Sequence, residues 1–117
     1  MTDLQVVIGG GTIGGRLARL LASQGKTVLV FARSAKGDAG SGIEYRSGDA
    51  TSVEELLARA PEAKVVYNCA NPPYNQWGTE WPKLSAAVNE FAMRAGADLV
   101  ICSNLYGYGP CVGILTE

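Results

Sequence analysis

Residues 9–15 read Gly-Gly-Gly-Thr-Ile-Gly-Gly, five glycines in seven positions. Glycine inside a regular element costs roughly 0.5–1 kcal/mol relative to alanine, so a density this high calls for a compensating interaction. Gly9, Gly11 and Gly14 stand at the spacing GxGxxG, directly after the apolar run Leu4–Ile8 and directly before a helical pattern. In that setting each glycine has a reason. Gly9 permits a tight turn, Gly11 lets backbone approach a pyrophosphate with no Cβ in the way, and Gly14 lets the helix sit close on the strand. The free N–H groups at the helix start, around Thr12 and Ile13, then face an anion, assisted by the helix dipole. The chemistry implied is binding of a dinucleotide. A flexible strand-to-helix turn with no ligand is the competing reading.

Other residues at strand ends extend this reading. The second apolar run, Thr27–Phe31, is followed by Ala32, Arg33 and Ser34, with no Asp or Glu. An acidic residue there would bond the ribose 2′-hydroxyl of NAD. The planar fork of Arg33 suits the 2′-phosphate of NADP instead, with Lys36 adding charge. NADP is therefore the expected cofactor and NAD the alternative; a merely solvated Arg33 is the other reading. Asp49, with Ala50 beside it, is placed to accept from an adenine amine, or else to cap a helix. Cys69, Ala70 and Asn71 end another apolar run, where small residues let backbone approach a cofactor or simply pack. The segment Pro72–Trp77 suits either the wall of a substrate pocket or a rigid surface loop.

Composition excludes several classes. There is no histidine, which removes Ser-His-Asp and Cys-His hydrolase mechanisms. Cys69, Cys102 and Cys111 form no CxxC, which argues against structural zinc; they read as reduced, buried thiols, with redox sensing by Cys69 and Cys102 as the alternative. Net charge is −1, from 10 basic and 11 acidic residues. No basic patch suggests nucleic acid. No apolar run reaches the roughly 20 residues of a membrane span, and Met1-Thr2-Asp3 does not begin a signal peptide. A cytoplasmic location is expected.

These residues need a scaffold. Leu4–Ile8, Thr27–Phe31, Ile43–Arg46, Lys64–Cys69 and Asp98–Cys102 are short apolar runs, as in a parallel sheet buried on both faces. Ile13, Leu17, Leu20 and Leu21 recur at helical spacing up to Gly25. Ser52-Val53-Glu54-Glu55 is a capping box opening a second helix, which ends before Pro61. Leu84, Val88, Phe91, Ala92 and Ala95 form a third stripe, closed by Gly96, with Ala70–Gly78 as a loop. The order strand-helix-strand-strand-helix-strand-helix-strand predicts a single α/β domain over 1–117, a doubly wound Rossmann-type parallel sheet of about five strands. The crossover Ser34–Gly42 shows no helical pattern, and Ser103–Glu117 no clear element.

Taken in order, GGGTIGG, FARS, GDAT, VVYNCANP and VICSNLYGYGP resemble the short-chain dehydrogenase/reductase superfamily. The resemblance spans essentially the whole chain and is nearest to the extended or atypical branch, which includes NAD-dependent epimerase/dehydratase-like proteins. It implies an NAD(P)-dependent oxidoreductase acting on a carbonyl or sugar-nucleotide substrate. It also implies cofactor contacts at Gly9, Gly11, Gly14, Asp49, Cys69, Ala70 and Asn71. The family's catalytic Ser or Thr position falls on Asn104, which can hydrogen-bond a substrate but is a poor proton relay. The family's YxxxK pair is absent, since none of the five tyrosines has a lysine four residues on. The chain thus resembles the N-terminal, cofactor-binding half of such an enzyme, the rest of the family fold lying beyond it. A non-catalytic NADP-binding or redox-sensing module is the alternative, and a flavin-binding domain would require an acidic residue after the second strand.

Overall fold

The structure is a computed structural model, and it describes residues 3–34, 42–72 and 74–102. The strands are β1 (Leu4–Ile8), β2 (Thr27–Ala32), β3 (Ile43–Ser47), β4 (Ala63–Asn68) and β5 (Asp98–Ile101). The helices are α1 (Thr12–Ser23), α2 (Val53–Arg59) and α3 (Trp77–Ala95), the last preceded by a short 3-10 turn at Tyr74–Gln76. One five-stranded sheet has the order β3-β2-β1-β4-β5, and every pairing is parallel. This is the α/β, Rossmann-type sheet that the sequence pattern predicts.

β1 is apolar apart from Gln5 because both of its faces are covered, and all five residues are buried. Its alternate side chains enter two cores. Val6 and Ile8, with Leu29, Phe31 and Val66, pack beneath α2 and α3 against Leu56, Leu84, Val88 and Phe91. Val7, with Val28 and Val30, packs against Ala18 and Leu21 of α1. Each of these side chains larger than alanine contributes about 1.5–3 kcal/mol on leaving water. The polar exception is satisfied: Gln5 accepts from the Tyr67 hydroxyl at 2.9 Å and donates to Asp3 at 2.9 Å. Asp3 also pairs with Lys26 at 2.8 Å. That network ties the amino-terminal ends of β1 and β2 to Tyr67 of β4.

α1 and α3 run up to Gly25 and Gly96, whose φ values of +80° and +71° lie in the left-handed region that stops a helix. α3 departs from the sequence expectation at its start. It begins at Trp77, seven residues before the apolar stripe, and carries Pro82 inside it. Proline there deprives the Gly78 carbonyl of its usual donor. Local contacts offset this: the Trp77 indole N–H donates to the Pro72 carbonyl at 2.9 Å, and Trp77 stacks edge-on against Trp81 with centroids 6.3 Å apart. The crossover between β2 and β3 lies mostly in 35–41, outside the described residues.

Candidate nucleotide-binding cleft

β1 leads to β2 on one side, while β4 lies on its other side, so the direction of winding reverses between β1 and β4. A parallel sheet leaves a crevice at such a reversal, outside the carboxyl ends of the strands. Here that crevice is a cleft of about 480 Å³.

The glycine turn forms its floor. The Gly9 N–H donates to the Phe31 carbonyl at 2.9 Å, and the Cys69 N–H donates to the Ile8 carbonyl at 2.9 Å, so the ends of β2, β1 and β4 are laced together. Gly9 has φ +99°, and a Cβ there would stand 2.8 Å from both Cα and N of Ala70. A Cβ on Gly14 would stand 2.0 Å from the Gly9 carbonyl oxygen. Gly14 is therefore the place where α1 rests on the turn. Gly11 differs: a Cβ there meets nothing within 4 Å. Gly11 is the N-cap of α1, with no side-chain cap bond and no acidic residue in the first turn. The helix start thus offers backbone N–H donors and positive dipole to the cleft without a competing carboxylate of its own.

The side walls come from the other strand ends. Of the residues singled out by sequence, Gly9, Gly11, Thr12, Ile13, Gly14, Arg33, Asp49, Ala50, Cys69, Ala70 and Asn71 all line this cleft. Ser34 is exposed and lies outside the lining. Asn104 lies outside the described residues. Arg33 is exposed at the rim. Asp49 Oδ1 accepts from the Thr51 hydroxyl at 2.6 Å and the Thr51 N–H at 2.9 Å. Those two bonds, with the nearby Arg33 charge as a smaller influence, hold the Asp49 carboxyl below its ordinary value.

The capping box closes differently from the expected form. Ser52 does accept from the Glu55 N–H at 3.3 Å. Glu55, however, reaches past the cap to accept from the Asp49 N–H at 2.6 Å, while the Ser52 N–H donates to the Asp49 carbonyl at 3.0 Å. Both interactions brace the Asp49 loop against α2.

Sequence reasoning missed part of the lining: Phe31, Thr51, Glu80 and Leu84. Glu80 stands four residues after Gln76 of the Pro72–Trp77 wall and so shares its face; it was missed because the sequence reading starts the helical stripe at Leu84. Cys69 is half-buried, and burial, with a smaller push from Cys102, raises its thiol above the ordinary value. Cys102, expected to be buried, is exposed, because β5 has only β4 as a neighbour among the described residues. Asn68 is 1% exposed, and its Oδ1 has no hydrogen-bond partner. It sits opposite Ile8 in the last paired row of the sheet. Among the described residues there is no cluster of metal-ligating side chains and no helix long and apolar enough to cross a membrane.

A five-stranded parallel sheet with helices on both faces and a glycine turn at its switch point defines a Rossmann-type α/β domain. Residues 5–91 match the NAD dependent epimerase/dehydratase family, and the chain belongs to that family. No curated protein matches it. Among solved structures it is similar to MoeE5 in complex with UDP-glucuronic acid and NAD, at 25% identity and a TM-score of 0.77, over 98% of this chain and 41% of that one. It is also similar to UDP-glucose 4-epimerase of Thermotoga maritima, at 16% identity and a TM-score of 0.76, over 95% of this chain and 41% of that one. The Bordetella bronchiseptica enzyme WbmG in complex with NAD matches at 20% identity and a TM-score of 0.69, over 86% and 37%. The chain spans about two-fifths of the length of these structures.

Proposed function

We propose that residues 1–117 form one dinucleotide-binding domain of an epimerase/dehydratase-type oxidoreductase, with NADP(H) preferred over NAD(H) and a sugar-nucleotide as the substrate class. The observation that carries the reading is the convergence on one cleft of the Gly9–Gly14 turn, the uncapped start of α1 and the ends of β2 and β4. The residues fit such a group: Gly11 leaves open space where a phosphate must approach, and α1 begins without an acidic side chain. Membership of the family supports the cofactor class. MoeE5, solved with UDP-glucuronic acid and NAD, supports the substrate class.

When bound, the nicotinamide supplies a hydride acceptor or donor for a sugar carbon. This chain's own residues bind and orient. The N–H groups of the first turn of α1 hold the pyrophosphate. Asp49, kept ionised by Thr51, accepts from the adenine amine with its remaining lone pairs. Ala70 and Asn71 let β4 pass close to the cofactor. Arg33, just after β2, would pair with a 2′-phosphate.

Calorimetric titration of the purified chain with NADPH and then NADH tests both parts. Tight NADPH and weak NADH binding supports the reading, and Arg33→Asp should reverse the ratio. A folded chain that binds neither refutes the cofactor assignment. An unchanged ratio in Arg33→Asp refutes the preference alone.

A further inference from the structure

Cys69 and Cys102 follow the last residues of two paired strands. The β4–β5 register pairs Asn68 with Ile101, and the Cys102 N–H donates to the Asn68 carbonyl at 3.0 Å. The ladder therefore continues one step beyond the last pair, and that step brings Cys69 opposite Cys102. Residues opposite each other in a parallel sheet project from the same face. Neighbouring strands run about 4.8 Å apart, within the roughly 4.4–6.8 Å between Cα atoms that a disulfide spans. The influence of Cys102 on the ionisation of Cys69 agrees with that proximity. Both thiols are free, Cys102 exposed and Cys69 half-buried.

Cys69 is also part of the cleft wall. Its carbonyl carbon lies 3.0 Å from where a Cβ on Gly9 would stand, so a movement of Cys69 is felt directly at the glycine turn. We propose that Cys69 and Cys102 are a peroxide-oxidisable dithiol whose closure to a disulfide weakens nucleotide binding in the cleft. The nucleotide clause rests on the function proposed above.

The chemistry balances with a peroxide as oxidant. The exposed Cys102 thiolate attacks a peroxide oxygen; the O–O bond breaks, leaving a sulfenic acid and one water after protonation. The Cys69 thiolate then attacks the sulfenic sulfur; an S–S bond forms, the S–O bond breaks and a second water leaves. Two electrons pass from the two thiols to the peroxide. A small-molecule thiol reverses the link by exchange.

The test uses the full chain, reduced and then treated with hydrogen peroxide. Non-reducing tryptic digestion followed by mass spectrometry should join the peptide 65–83 to the peptide 95–117, less two hydrogen atoms. That second peptide also holds Cys111, so two variants assign the link: it should persist in Cys111→Ser and vanish in Cys102→Ser. NADPH affinity should fall on the order of tenfold after oxidation, recover with dithiothreitol, and stay unchanged in peroxide-treated Cys102→Ser. No link in the unsubstituted chain, a link surviving in Cys102→Ser, or a link with undiminished affinity each overturns the proposal. A reduced, folded chain that binds no nucleotide overturns the function and the affinity clause together, while the cross-link is scored independently by mass.

Discussion

Gly14 and Gly15 are neighbours in the same helix, and the structure gives their alanine variants opposite signs. A methyl group on Gly14 would lie 2.0 Å from the Gly9 carbonyl oxygen and 3.3 Å from Val7 Cγ1. Ordinary contact begins at 3.4 Å, so the turn or the helix must withdraw by about 1.4 Å. The closest atom is backbone and cannot swing aside. Overpacking costs about 1–3 kcal/mol, and a backbone clash belongs at the upper end. The gain in helix propensity returns about 1 kcal/mol, so Gly14→Ala should lose about 2 kcal/mol net. A methyl group on Gly15 meets Arg19 Nη1 and the Gly10 carbonyl oxygen at 3.7 Å, both comfortable contacts. Only the propensity gain remains, and Gly15→Ala should gain roughly 0.5–1 kcal/mol. Urea denaturation separates them: with a slope of about 2 kcal/mol per molar, the Gly14→Ala midpoint falls by about 1 M. Gly11→Ala completes the series, since its methyl group points into open space. It should keep its midpoint within about 0.5 M yet lose nucleotide affinity on the order of tenfold. Equal midpoints for Gly14→Ala and Gly15→Ala would refute the seating of α1 on the Gly9 turn.

Trp77→Phe removes the indole donor from the Pro72 carbonyl. It should lower stability by about 1 kcal/mol in thermal unfolding and speed amide exchange at Asn71. Asp49 provides an acid-limb test. Its folded value lies below the ordinary 3.8, so its stabilising bonds to Thr51 are fully present above that pH and are lost as the pH falls through the lowered value. Asp49→Asn should therefore be less stable than the unsubstituted chain at neutral pH, with the gap in urea midpoint narrowing under acid. Parallel curves down through that range would show that the carboxylate bonds are not the cause.

The sheet and α1 were legible because local pattern and tertiary environment agree. Runs such as Val6–Ile8 and Val28–Phe31 are apolar on both faces because both faces are covered, and continuous apolarity is how a buried parallel strand reads. Gly25 and Gly96 marked helix ends because left-handed backbone has few occupants other than glycine. The start of α3 was not legible. Trp77-Gly78-Thr79-Glu80-Trp81-Pro82 contains a proline and a glycine, which mask that Trp77 and Trp81 continue the Leu84 and Val88 stripe at helical spacing. Its helix is held by short-range contacts, the Trp77 indole on the Pro72 carbonyl five residues back and Trp77 against Trp81 one turn on. The cleft residue Glu80 was lost with it. The reach of Glu55 to Asp49 was hidden for a related reason, since a capping box specifies residue types and leaves open which donor the carboxylate meets. The exposure of Cys102 depends on how many strands lie beside β5, which no local pattern near it records.

β1 comes first in the chain yet lies in the middle of the sheet, and this sets the tempo at which the molecule can assemble. Its pairing with β2 joins Leu4 to Thr27, while its pairing with β4 joins Leu4 to Ala63. The first is a short closure and the second a long one, and long closures delay folding. The half-sheet β1-β2-β3 can therefore form while β4 is still unstructured. The cleft belongs to neither half; it exists only once Cys69 and Ala70 arrive beside Gly9. A nucleotide held there grips both halves at their seam, so it should act chiefly as a brake on unfolding and leave the rate of folding nearly unchanged.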